Sequence, residues 1–374
     1  MFKSRSIQSS LSFKDKILSI DYILVCSIFI LGLISILAMY STDGGEFKYH
    51  TNSHILRFFV FFGMFLTLSF IQIRFWHRQS YLIYVLFFIL LLGVKYFGLT
   101  SSGSKRWLNL YFMNLQPSEL MKIGLILFLA KYYHRISIEN INQLRFLFLP
   151  IVVLIAPIIL VATQPDLGTA LLIAAGGLTV AWLAGVRVKF FAYSGLAFIG
   201  LLPIAISFLK PYQKSRILTF LNPERDPLGA GYQIIQSKIA IGSGGLFGKG
   251  FLQGSQSYLD YLPEKHTDFI FTLFSEEFGF FGSLFILSLY AVIVWRIVRI
   301  GNLTRSNFGK LYCYSFGTAF FLYVVVNMMM VLGLLPIVGS PLPIMSYGGS
   351  SMMAIMMGLG IVMSCKVYKD TPVN

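Results

Sequence analysis

From Tyr22 to Met39 the chain carries no Asp, Glu, Lys, Arg or His, and runs of this kind return along its whole length. A helix needs ~20 apolar residues to cross the ~30 Å hydrocarbon core of a bilayer, so each run is long enough to span. Composition agrees: 56% of the 374 residues are hydrophobic and only 12% are charged, whereas soluble domains carry about a quarter charged residues. The first run is too long for the apolar stretch of a secretory signal and lacks a small-residue cleavage site, so it is expected to remain as the first span.

The fold expected is therefore all-α: a polytopic membrane protein with about ten transmembrane helices. The spans read as roughly 20–40, 55–73, 80–99, 116–133, 146–163, 167–185, 190–208, 269–295, 311–335 and 343–365. Residues 1–374 form a single membrane domain, with tails at 1–19 and 366–374 and one long loop at 209–268. Lys3, Arg5, Lys14, Lys16, Arg74, Arg78, Lys131, Arg135, Arg145, Arg187, Lys189, Arg296, Arg299, Arg305, Lys310, Lys366 and Lys369 fall on one alternating set of connections. That set holds more than half of the basic residues, which predicts cytoplasmic termini by the positive-inside rule. The net charge of +15 is scattered between spans rather than striped on one face, which does not suit nucleic acid. Cys26, Cys313 and Cys365 lie at no metal-ligand spacing, are all expected towards the cytoplasm, and predict no disulfide framework.

Acidic residues gather on the opposite, outward set: Asp43, Glu46, Asp166, Glu224, Asp226, Asp260, Glu264 and Asp268. The long loop is Gly-rich and half apolar. Gln233 to Ile241 is predicted to be a short interfacial helix, followed by a flexible run from Gly242 to Gly250.

Five segments could carry chemistry. In Gln116-Pro-Ser-Glu-Leu-Met-Lys122, Pro117 opens a helix and places Glu119 and Lys122 on one face, either as a structural ion pair or as a polar site in a cavity below Arg106. Lys105, Arg106 and Trp107 could equally anchor the chain at an interface. Asp166 in Gln164-Pro-Asp-Leu-Gly168 suits a helix N-cap or a broken helix lining a cavity. Asn222 to Pro227 reads as a proline-bounded turn, whereas Arg216 and Lys238 are cations suited to phosphate groups, Arg through its fork and Lys as a point charge. The segment 334–351 carries three prolines and predicts a re-entrant break before the last helix, with close helix packing on its small residues as the simpler reading.

The fifth segment is Leu-Pro-Glu264-Lys265-His266-Thr-Asp268-Phe-Ile-Phe271, where four ionisable groups meet an apolar run. Ionisable residues at a membrane boundary are costly and usually functional. Asp268, partly desolvated, should have a raised pKa that Lys265 pulls back, which suits a general base. A structural helix cap is the simpler alternative, and His266 with Asp268 alone is too short a pattern for a metal site.

GSKRWLNL, QPSE, QPDLGTA, RILTFLNPERDPLGAGYQIIQSKIAIGSGGLFGKG, LPEKHTDFIF with SEEFG, and PLPIMSYGGSS together resemble, in order, the motifs of the shape, elongation, division and sporulation (SEDS) family of bacterial membrane glycosyltransferases. The wording is closer to the rod-elongation branch than to the division branch. The resemblance implies a ten-helix polymerase of the bacterial plasma membrane that joins lipid II units into glycan strands, with its site facing the periplasm. It implies Asp268 as the essential carboxylate, with Arg106, Glu119, Lys122, Asp166, Arg216 and Lys238 around it; Trp107, Glu264 and His266 complete the expected substrate-binding set. It further implies a class B penicillin-binding protein and other elongation-complex membrane proteins as partners. No cofactor is certain: a divalent cation, Mg or Mn, could help hold the pyrophosphate, but no dedicated ligand set is legible. A lipid II flippase or transporter is the alternative, since broken helices also suit alternating access; a non-catalytic scaffold is a third reading.

Overall fold

The computed structural model describes residues 12–101, 104–109, 114–137, 139–207, 211–223, 226, 229–255, 262 and 264–373. Expectations placed on the first eleven residues, on Glu224 and Arg225, and on Asp260 lie outside them.

The chain is a helical bundle. A short helix α1 (Phe13–Leu18) precedes α2 (Tyr22–Thr42), α3 (Tyr49–Ser69) and α4 (Ile73–Phe97). Three small strands follow, β1 (Leu99–Ser101), β2 (Ser104–Asn109) and β3 (Asn114–Leu115), paired antiparallel in the order β1-β2-β3. Then come α5 (Pro117–His134), α6 (Leu144–Thr163), α7 (Leu167–Ala184), α8 (Val188–Ser207), α9 (Pro211–Leu221) and α10 (Ala230–Ser243). The last three helices are α11 (Ile270–Leu303), α12 (Asn307–Val331) and α13 (Gly349–Val367).

Among the described residues, eight helices (α2, α3, α4, α6, α7, α11, α12 and α13) are long and apolar enough to cross a membrane. With α5 and α8, also at least 18 residues long, the ten expected spans are accounted for. Their boundaries differ from expectation. Helix α3 begins at Tyr49 rather than 55, and α4 at Ile73 rather than 80, so Arg74 and Arg78 lie in the first turns of a helix rather than in a connection. Helix α13 begins at Gly349, later than 343. Polar first turns hide a helix start from a hydropathy reading.

Helix ends follow local chemistry. Asp21 caps α2 by accepting from the Leu24 N–H at 3.1 Å, satisfying an otherwise orphaned donor. Pro117 opens α5 at a position where its missing N–H costs nothing. Lipid supplies no hydrophobic drive for helix association, so close packing through small residues decides which faces meet. A Cβ on Gly32 would lie 2.0 Å from the Phe58 ring, and one on Gly358 would lie 2.0 Å from the Phe316 ring. Helix α13 is deeply enclosed and packs on α3, and α5 is buried along nearly its whole length.

The segment Gly242 to Gly250 is strapped down rather than loose. Lys249 N–H donates to the Glu276 carbonyl at 3.0 Å, and Gly250 N–H to that of Glu277 at 3.0 Å. Phe280 N–H donates to Gly245 at 2.9 Å. A Cβ at Gly248 would meet the Glu277 carbonyl oxygen at 2.0 Å. The glycines are there for backbone-to-backbone approach. Helix α11 accommodates the strap by kinking at Gly279, whose φ of 65° and ψ of −159° only glycine adopts readily. Residues 332–348 between α12 and α13 are non-helical, as the three prolines predict.

Candidate active site

Asp268 lies in the turn 264–269 that leads into α11. The turn is held through its carbonyls. Asn327 of α12, fully buried, donates from Nδ2 to the Asp268 carbonyl at 3.0 Å and to the Ser340 carbonyl at 2.7 Å. Ser346 Oγ donates to the Thr267 carbonyl at 2.6 Å, and Tyr347 N–H to the His266 carbonyl at 2.8 Å. The non-helical segment and α12 thus clamp the turn from two sides. Gly339, with φ of +68°, leaves room for the Asp268 carboxylate: a Cβ there would come within 3.7 Å of Oδ2.

Burial pushes the Asp268 pKa up to about 7, helped by the negative charges of Glu264 and Asp166 and opposed by the Arg216 guanidinium. Arg216 is exposed on α9 and donates from Nη1 to the Ile337 carbonyl at 3.0 Å, which places it against the same non-helical segment. Glu264 is exposed and accepts from Thr267 Oγ1 at 2.9 Å.

Asp166 caps α7: Oδ1 accepts from Thr169 N–H at 3.2 Å and Oδ2 from Gln116 Nε2 at 2.9 Å. Arg106, on β2, donates from Nε to the Gln164 carbonyl at 3.0 Å and from Nη2 to that of Pro165. It therefore clamps the α6–α7 joint next to Asp166. Trp107 is half-buried beside it, across from Leu99 in the sheet. Gln116 N–H donates to Ser350 Oγ at 2.9 Å, and Ser350 Oγ donates to the Asn114 carbonyl at 2.7 Å, tying the sheet to the starts of α5 and α13.

Glu119 and Lys122 are both buried and paired at 2.9 Å. The Tyr323 hydroxyl from α12 lies 2.7 and 2.8 Å from the Glu119 oxygens and accepts from Lys122 Nζ. A buried ion pair is tolerable only with such additional hydrogen bonds. The cavity beside the triad, about 30 Å³ and lined also by Phe320 and Ala354, has room for about one water. Lys122 feels the charge of Asp166, and Tyr323 those of Asp166 and Asp268, so the triad belongs to the same polar region.

Two expected members are placed elsewhere. His266 turns to Asp43, its Nε2 lying 3.0 Å from Asp43 Oδ1, and stacks on His50 with ring centroids 4.2 Å apart. Lys238 is exposed on α10 with its side chain over Gly333, where a Cβ would meet its Cε at 2.4 Å. Sequence reasoning missed Tyr323, Asn327 and Gln116. The first two are polar interruptions four residues apart in the otherwise apolar stretch from Ala319 to Val331, a signal that was present.

Comparison with known proteins extends this geometry. The family model FtsW/RodA/SpoVE, described as cell cycle protein, matches residues 18–371. The chain is 44% identical over 292 residues to peptidoglycan glycosyltransferase MrdB of Escherichia coli K12, covering 77% of each chain. It is 38% identical over 300 residues to stage V sporulation protein E of Bacillus subtilis, covering 78% of this chain and 80% of the other. Among solved structures it resembles a chain of a peptidoglycan synthase complex, described as coordinating polymerization and crosslinking, with a TM-score of 0.81 and 30% identity over 94% of this chain and 99% of that one. It also resembles the rod shape determining protein RodA of Thermus thermophilus, with a TM-score of 0.71 and 25% identity over 94% and 98%.

Proposed function

Because this chain belongs to the FtsW, RodA and SpoVE family of cell cycle proteins, we propose that it is a peptidoglycan glycosyltransferase that builds glycan strands during cell elongation, with Asp268 taking the acceptor's proton. The observation that carries the role of Asp268 is its placement: a carboxylate raised to about 7 and beside the cation Arg216, on a turn whose carbonyls at 266, 267 and 268 are each held by a hydrogen bond.

The substrate that fits is lipid II, a disaccharide on a pyrophosphate with an undecaprenyl tail. Its tail lies in lipid against the helices and its sugars occupy the region between Asp268, α9 and the non-helical segment. Asp268 accepts the proton of the acceptor sugar's 4-hydroxyl. That oxygen forms a bond to C1 of the donor from the face opposite the pyrophosphate, inverting the centre. The C1–oxygen bond to the pyrophosphate breaks and its electron pair leaves with that group. A carboxylate poised near neutrality is suited to such general-base work, which contributes about 10²–10⁴-fold. Arg216 supplies positive charge for the departing anion. Asp166, Arg106 and the Glu119–Lys122–Tyr323 triad hold the surrounding wall.

The end that carries Asp268 faces the periplasm and both termini face the cytoplasm, in keeping with Arg74, Arg78, Lys131, Arg296 and Lys366 at the opposite helix ends. The site of chemistry thereby meets a crosslinking enzyme, a class B penicillin-binding protein transpeptidase, on the wall side. A divalent cation, Mg or Mn, at the pyrophosphate would add to the positive charge that Arg216 supplies. Purified protein, with and without that partner, incubated with lipid II should give long glycan chains. Asp268→Asn should abolish them while the protein still inserts and purifies as a folded species; wild-type rates from that variant would overturn the assignment. Transfer of lipid II across vesicles without polymer would favour a flippase instead.

A further inference from the structure

Three side chains from three separate segments meet at the end of the bundle that carries Asp268. Asp43 closes the C-terminus of α2, His50 is the second residue of α3, and His266 sits in the turn 264–269. Asp43 Oδ1 lies 3.0 Å from His266 Nε2 and 3.6 Å from His50 Nδ1, and the three ligating atoms all fall within 4.8 Å of one another. Ligands held about 2.0–2.2 Å from a tetrahedral ion stand about 3.3–3.6 Å apart. The two measured edges bracket that spacing, and the stacked imidazoles, 4.2 Å apart and 21° from parallel, would turn about their own side-chain bonds to aim both nitrogens at one ion.

The surroundings are arranged as they would be around a bound cation. The other carboxylate oxygen of Asp43 is taken by Thr51, which donates its N–H at 2.9 Å and its Oγ1 at 2.6 Å. This fixes the carboxylate plane and leaves Oδ1 pointing at the imidazoles, the kind of outer support that orients ligands. Tyr347 packs edge-on to His50 at 5.1 Å and holds the His266 carbonyl through its own N–H. Asp43 is 2% exposed at the side chain, His266 17% and His50 42%, so the group is closed on one side and open to water at His50. Gly44 and Gly45, with φ of +80° and +79°, turn the chain back sharply enough to bring His50 over Asp43.

We propose that Asp43, His50 and His266 bind a divalent first-row transition ion, Mn²⁺ or Zn²⁺, with solvent completing its coordination. Two imidazoles and one carboxylate favour such ions over Mg²⁺ or Ca²⁺, which take oxygen ligands. Bound there, the ion ties the α2–α3 connection to the turn that carries Asp268 and acts as a positioning device for that turn. The inference stands apart from the glycosyltransferase reading, because binding is measured without substrate.

The test uses the full-length protein in detergent, stripped with chelator and titrated with MnCl₂ by electron paramagnetic resonance and with ZnCl₂ by calorimetry. The expected result is one ion per chain, and an affinity at least about tenfold weaker in His50→Gln, since even outer-sphere changes commonly cost that much. His50 is partly exposed, so this variant keeps its fold. His266→Gln should weaken binding likewise. A wild-type protein that takes up neither ion, leaving a plain histidine–aspartate hydrogen bond, overturns the proposal. So does a His50→Gln protein that binds with unchanged stoichiometry and affinity.

Discussion

The amide of Asn327 joins two carbonyls that are far apart in sequence, those of Asp268 and Ser340, at 3.0 and 2.7 Å. A single buried side chain on α12 thus sets the distance between the turn bearing the proposed base and the non-helical segment beside it. Asn327→Ala should leave both carbonyls without this donor, a cost of roughly 1–3 kcal/mol for each buried group. The expected outcome is a lowered melting temperature together with a fall in lipid II polymerisation greater than the lost stability explains. Polymerisation at the wild-type rate would show that the turn keeps its place without the amide.

Glu119 and Lys122 share their charge with the Tyr323 hydroxyl in a nearly closed space. Removing one partner leaves an uncompensated buried charge, which typically costs about 3–5 kcal/mol. Glu119→Gln and Lys122→Met should each destabilise the protein strongly in thermal melts, whereas the double change should recover much of the loss. Additive losses in the double variant would contradict a closed pair.

Arg106 grips two successive carbonyls at the end of α6. Lysine lacks the planar fork and cannot reproduce this grip. Arg106→Lys should therefore reduce polymerisation although the charge is kept, through displacement of the Asp166 cap rather than loss of a cation. Glycan synthesis assayed in membranes with equal protein levels checks this; full activity of Arg106→Lys would assign Arg106 the role of a simple point charge.

At the opposite end of the bundle Arg296 of α11 engages both oxygens of Asp21, the residue that caps α2. Both side chains are buried. Asp21→Ala removes the cap and the counter-charge together and should lower the yield of folded protein sharply, by roughly 3–5 kcal/mol of stability. Activity per folded molecule should stay within about twofold, since the pair is remote from Asp268; a selective loss of turnover would point to coupling between the two ends.

What was legible in the sequence was cost. Asp268, Asp166, Glu119 and Lys122 stand out because charge is expensive where they lie, and spans stand out because apolar runs have a minimum length. What was hidden was pairing. Tyr323 and Glu119 are 204 positions apart, and neither a phenol nor an amide such as Asn327 looks expensive in a hydropathy trace. His266 was placed with Asp268 because the two are neighbours in the chain, yet the turn sends its side chain to Asp43, 223 positions away. The sheet around Arg106 escaped notice because its strands are two to six residues long, too short for alternation to register.

The contact of main chain against main chain between Gly244–Gly250 and the kinked stretch of α11 has a consequence for how substitutions are read. A saturation scan would find a run of intolerant positions there, with no reactive group among the glycines to account for it. Such a run invites the label of a reaction centre. It marks a hinge pin, whose side-chain chemistry is gathered in the ion pair of Lys249 with Glu276 that Ser255 joins.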